Sequence, residues 1–147
     1  MFRFEITDWP VRVSINNLPQ HIWSHVPMSH IVSIKTQVKD PLAIQAACRR
    51  LQLPEPQQRT ARLFNSEATG LVVELRGWTY PLVCDTTTGE LKYDNFEGRW
   101  GDESQLHLFL QSYAVERATL EARRQGHSVS EQQLADGSIR VQITVAG

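Results

Sequence analysis

The sequence holds only two cysteines, Cys48 and Cys84, and they do not form the close Cys-x-x-Cys spacing of zinc and redox sites. Each sits among apolar neighbours ("QAACRRL", "PLVCDT"), so both are expected to be buried free thiols. No apolar run reaches the roughly eighteen residues of a membrane-spanning helix. The opening stretch, "MFRFEITDWPVRVSINNLPQ", is interrupted by charged or polar residues every second or third position and lacks the apolar centre of a signal peptide. A cytoplasmic, reduced protein without membrane contact is the expectation. Charge of one sign is missing too: 15 Lys plus Arg stand against 16 Asp plus Glu, for a net charge of −1. That balance argues against bulk nucleic-acid binding, while a local basic patch remains open.

Catalytic signatures are equally scarce. There is no G-x-S-x-G and no glycine-rich loop ending in Lys-Ser/Thr. His21 and His25 have i, i+4 spacing, but Pro19 and Pro27 flank them and no glutamate lies between them. Glu103 and His107 would share a helix face, a common coincidence. No metal site and no cofactor are expected, and there is no internal repeat or low-complexity tract.

What is present is an ordinary globular composition, 147 residues with 41% hydrophobic and 21% charged, long enough to bury one core without disulfides. Phe2, Phe4 and Ile6 alternate with polar residues, and Val11, Val13 and Ile15 do so again after Trp9-Pro10. Residues 1–27 therefore read either as an extension carrying a short hairpin or as sequence upstream of a true start at Met28. The domain proper is placed at 28–147. Residues 31–38 form a β-branched strand, and Asp40-Pro41 caps and opens a helix to about Leu51, with Leu42, Ala43, Ala46, Ala47 and Leu51 as its apolar stripe. Pro54 and Pro56 follow it. Four short β-type runs come next, "ARLF", "GLVVEL", "TYPLVCD" and "ELKYDNF", with Pro81 predicting an edge position or a bulge near the start of the third.

A long helix follows from a cap at Asp102, with Leu106, Phe109, Leu110, Tyr113, Ala114, Arg117 and Leu120 at helical spacing and Gly126 past its end. A hairpin closes the chain, with Ala135-Asp136-Gly137 as its turn. Hairpin links imply antiparallel pairing, so the expected fold is α+β, an antiparallel β-sheet with two α-helices packed on one face.

The stretches "MSHIVSIKTQVKDPLAI", "YDNFEGRWG", "FLQSYAVERATLEARRQGHSV" and "EQQLADGSIRVQITV" resemble the hypothetical chloroplast open-reading-frame thirty-five family, whose members also occur in cyanobacteria and other bacteria. Its members open with Met-Ser-His and a strand of the S-I-K-T type, matched here by Met28, Ser29, His30, Ser33, Ile34, Lys35 and Thr36. The resemblance runs from residue 28 to about 145 and has no counterpart for 1–27, which favours Met28 as the start. It implies a small soluble protein without a recognised catalytic site, often encoded near an ATPase of the AAA type, and hence a partner role. The proline-rich "LPEPQQ" departs from the chloroplast members and leaves the partner's identity open.

The densest cluster of candidate function is "KYDNFEGRWGDE", residues 92–103, where Tyr93, Asp94, Asn95, Phe96, Arg99 and Trp100 mix aromatic, polar and cationic groups around two glycines. Such residues serve as interface anchors, and the same aromatics would equally fasten the start of the long helix. Arg117, Arg123 and Arg124, joined by Arg49 and Arg50, are candidate phosphate-binding residues, although Glu116 and Glu121 among them also suit a solvated helix face. The leading expectation is a non-enzymatic interaction or adaptor domain acting with an AAA-type ATPase. The alternatives are a nucleic-acid-associated accessory protein using the basic helix face, and an enzyme whose site, around Glu103, His107 or Asp94, assembles only in three dimensions.

Overall fold

A computed structural model describes residues 4–7, 31–35, 38–135, 137 and 139–144. The strands are β1 (Phe4–Thr7), β2 (Ile31–Lys35), β3 (Gln57–Arg62), β4 (Glu67–Val73), β5 (Leu82–Asp85), β6 (Glu90–Asp94), β7 (Ser128–Gln133) and β8 (Ile139–Thr144). The helices are α1 (Pro41–Arg50) and α2 (Glu103–Arg124). A five-stranded antiparallel sheet has the order β2-β6-β5-β4-β3. Both helices pack on one of its faces, as the sequence predicts, so the architecture is α+β. Among the described residues no helix is long and apolar enough to cross a membrane.

Helix α1 starts where its chemistry dictates. The Asp40 carboxylate accepts from the N–H groups of Leu42 and Ala43, and Pro41 occupies the first turn, where an N–H would have no intrahelical partner. The far end is set before the prolines: Gln52 takes a left-handed φ of 58°, its N–H donates to Arg49 O and that of Leu53 to Cys48 O. The buried face differs from the expected stripe. Ala43, Ile44, Ala47 and Cys48 are buried while Leu42 is 54% exposed, because Ile44, Ala47, Cys48 and Leu51 lie at i, i+3, i+4 and i+7. Both cysteines are free and buried, as expected. Burial, followed by the charge of Glu55, pushes the Cys48 thiol up to about 11, and burial raises Cys84 as well, so neither is an activated nucleophile.

Residues from α1, β4, β5, β6 and the first half of α2, with Phe109, Leu91, Leu82 and Ile44 among them, form the main core. The Tyr113 hydroxyl accepts from the N–H groups of Lys39 and Asp40, both at 3.1 Å, and so fastens the start of α1 to α2. Tyr113→Phe is expected to lower stability by about 1–3 kcal/mol in urea unfolding, since two partly buried donors lose their acceptor.

Two features of the sheets differ from the sequence expectation, although their strands form as expected. The final hairpin does not extend the main sheet. Strand β8 pairs antiparallel with β7 and parallel with β1, giving a second sheet of order β1-β8-β7. Its core, Val141 and Ile143 with Val129 and Ile139, packs on a second stripe of α2 made of Val115 and Ala122 flanked by Ala114 and Ala118. Thus α2 is buried on two sides. Strand β1 finds its partner in β8; residues 11–15, the other half of the expected N-terminal hairpin, lie outside the described residues, as does Met28. The other correction is at Pro81, which immediately precedes β5. That strand lies between β4 and β6, away from either edge, and the proline needs no bulge because it donates to no ladder.

The opposite face of the main sheet carries a smaller core of Ala61, Leu63, Ala68, Val72 and Val83, with Tyr80 against it. The β3–β4 turn and the β6–α2 loop would stand at opposite ends of a flat sheet with this strand order. Yet Phe64 of that turn stacks on Trp100 of that loop at 5.0 Å between ring centroids. The β3–β4 hairpin therefore curls across the second face. Gly70 permits the curl: a Cβ there would lie 2.4 Å from the Cys84 carbonyl oxygen.

Candidate functional site

The β6–α2 loop, residues 95–102, is tied at both ends. At its start the Asp94 carboxylate accepts from the Phe96 N–H at 3.2 Å, and the Asn95 carbonyl accepts from Gly98 at 3.0 Å and Trp100 at 2.9 Å. At its end the Asp102 carboxylate accepts from the Ser104 N–H and caps α2, and Ser104 holds that carboxyl below its usual range. The β4–β5 loop braces the middle: Thr79 N–H donates to Trp100 O and Trp78 Nε1 to Asp102 O. Gly101 lets the chain pass against the Trp78 indole, whose atoms a Cβ would meet at 2.4–2.6 Å.

The six residues singled out in sequence divide into two groups. Tyr93, Asp94 and Asn95 are buried and support the loop from beneath. Tyr93 meets Trp78 edge-on at 5.4 Å, and burial, then the charge of Glu103, raises its phenol. The Asn95 Nδ2 is buried without an acceptor among the described residues. Phe96 and Trp100 are partly exposed and Arg99 is exposed. These three form the surface part: the Arg99 guanidinium lies 4.9 Å from the Phe96 ring centroid, and Phe96 stacks on Trp100 at 4.7 Å.

The structure adds two aromatics that sequence reading missed. Phe64, 49% exposed, and Tyr80 meet Trp100 at 5.0 Å and 5.5 Å. The signal for Phe64 was its place in the polar turn "FNSE", where nothing in a hairpin calls for an aromatic ring. The backbone beneath the patch is strained. Phe96 and Glu97 take positive φ of 45° and 55° ahead of Gly98 at 92°, each non-glycine costing about 1–3 kcal/mol. The hydrogen bonds to Asn95 and Asp94 hold that conformation, which turns Phe96 onto Trp100.

The helix arginines are distributed differently. Arg50 is committed to Glu116 and Glu131, joining α1 to α2 and to β7. Arg49 lies 3.7 Å from Glu55, and Arg124 lies 3.6 Å from Glu121. Arg117 and Arg123 are exposed. Three of the five candidate phosphate-binding arginines thus already face carboxylates. Among the described residues no three His, Cys, Asp or Glu side chains converge as a metal set; His21, His25 and His30 lie outside those residues.

His107 sits one helical turn beyond Glu103, and burial lowers its pKa against the opposing charge of Glu103. A folded-state pKa below the unfolded one means the unfolded chain takes up the proton first. Stability is therefore expected to fall as pH drops through about 6.5. The difference in urea midpoint between wild type and His107→Gln, followed from pH 8 to pH 5, should show the loss in wild type and a flatter profile in the variant.

No protein-family model, no curated protein and no solved structure matches the chain. The fold and the site thus define an α+β domain of two sheets sharing one helix, with an aromatic and arginine patch on a braced loop.

Proposed function

We propose that this chain is a non-enzymatic interaction or adaptor domain that docks a protein partner on the patch formed by Phe64, Phe96, Arg99 and Trp100. The observation that carries the reading is the aromatic stack itself, partly exposed at Phe96 and Trp100 and exposed at Phe64. Three ring contacts converge on Trp100, from Phe64, Tyr80 and Phe96, with an arginine laid over the last, on a loop held in a strained conformation by buried neighbours. Aromatics and arginine are the residue types that dominate interface energetics, and a rigid support reduces the entropy lost on binding. Strain maintained at a surface loop is itself a pointer to function. The sequence resemblance suggests an AAA-type ATPase as the partner.

Affinity capture from native lysate, comparing wild type with Arg99→Ala/Trp100→Ala and with Phe64→Ala, tests the reading. A specific partner, expected to be an ATPase, should be retained by wild type and bound about thirtyfold more weakly by the double variant. Equal recovery by all three proteins, or recovery of nothing by any, would remove the patch as a docking surface.

A further inference from the structure

Strand β3 ends the main sheet, and its outer side has no strand partner among the described residues. Which of its backbone groups face outward follows from the turn. Leu63 N–H donates to Ser66 O at 2.8 Å, so hydrogen-bonded pairs recur at every second position: Ala61 with Ala68, Arg59 with Gly70, Gln57 with Val72. Thr60 and Thr69, a pair of the other kind, approach through their hydroxyls at 2.7 Å, as the closer spacing of such pairs allows. The N–H and C=O groups of Gln58, Thr60 and Arg62 therefore point away from β4, toward the open edge.

Open edges are usually blunted by proline, lysine or a bulge. Strand β3 contains no proline or lysine, and its register with β4 is unbroken from Gln57 to Arg62. Beside it lies a groove of about 430 Å3 between the α1–β3 connection and the β4–β5 loop. Arg59, Arg62 and Arg76 line this groove with Glu74 as the one acid, a local excess of positive charge on a chain whose net charge is −1. Arg59 is held by Glu74 only at 3.9 Å between exposed side chains, and Arg76 reaches the Leu51 carbonyl at 3.3 Å. Pro54, Trp78 and Tyr80 supply apolar wall.

We infer that the β3 edge and this groove bind an acidic, extended peptide segment of a partner protein, added to the sheet as a further strand. Main-chain bonds to Gln58, Thr60 and Arg62 hold the strand, and the arginines select carboxylate side chains on it. The inference holds whether or not the patch around Trp100 is an interface.

The test uses the full chain and a labelled peptide of about ten residues alternating glutamate and threonine, a length that covers β3, with fluorescence anisotropy as the readout. Saturable binding that weakens with salt is expected. A lysine-threonine peptide should not bind, nor should the glutamate-threonine peptide when N-methylated at alternate amides. Gln58→Pro removes one outward N–H without touching the β4 ladder and should weaken binding about tenfold. Arg59→Ser with Arg62→Ser should do the same through charge, with thermal melts checking that each variant folds. Absence of saturable binding to wild type would overturn the proposal. So would equal affinity for the N-methylated peptide, or binding of a single-stranded oligonucleotide with none of the acidic peptide.

Discussion

Gly70→Ala is expected to cost about 3 kcal/mol or more, a large loss for the addition of one methyl group. The new Cβ would stand 2.4 Å from the carbonyl oxygen of Cys84 and 3.2 Å from a methyl of Val83. The nearest obstacle is backbone of the neighbouring strand, so it cannot move aside as a side chain does, and overpacking of that kind sits at or above the usual range. The damage should also be directional. Relief of the clash has to move β4 away from β5, which uncurls the β3–β4 hairpin and takes Phe64 from Trp100. Denaturant unfolding should record the stability loss, and aromatic proton shifts of Phe64 and Trp100 should move toward solvent values in the folded variant. A stability change within about 0.5 kcal/mol of wild type would mean that the two strands do not approach as closely as described.

Phe109→Ala carries the other large expected effect. Phe109 is fully buried on α2 amid the main core, where phenylalanine truncation typically costs about 3–5 kcal/mol, in a chain of this size a fall in melting temperature of about 10 °C. Leu42→Ala is the matched control. With its side chain 54% exposed, Leu42 should tolerate truncation to within about 0.5 kcal/mol. If Leu42→Ala proved as damaging as a core truncation, α1 would be turned toward the sheet by the face read from its sequence rather than by Ile44 and Cys48.

That contrast shows what sequence could and could not convey. The Asp40-Pro41 start, the Asp102 cap, Gly126 after α2 and the glycine in the last turn are local rules, and the structure obeys each of them. The face of α1 was harder to read because Leu42, Ala43, Ala46 and Ala47 also lie close together on a helical projection. Only packing decides between that set and the buried one. The sequence places strand β3 late, at residues 61–64, because "QQRT" is polar throughout; its first four residues are exposed on both faces and leave no alternation to read before the buried Ala61. The second sheet was hidden for a different reason. Val115, Thr119 and Ala122 lie on the flank of a helix whose larger residues, Leu106, Phe109 and Leu110, announce only one face.

The site was legible as a loop rich in interface residues. Its division into buried supports, Tyr93 to Asn95, and surface groups, Phe96 to Trp100, was not, because it depends on what distant segments bring against each side chain: Tyr93 enters the main core beneath the helices, while Trp100 meets Phe64 from a hairpin some thirty residues earlier. For the same reason Phe64 and Tyr80 could not be assigned to the patch from spacing alone. They reach Trp100 only through tertiary geometry.

The shared helix has a consequence for how the protein is made on the ribosome. By the time Tyr113 has been synthesised, every fully buried residue of the main core already exists in the nascent chain, so that core can begin to close early. The flank of α2 bearing Val115 and Ala122 then waits for Val141 and Ile143, which are synthesised some twenty to thirty residues later. For that interval the first folded intermediate carries a half-dressed helix, an apolar stripe that chaperones would recognise and that the arriving hairpin must cover.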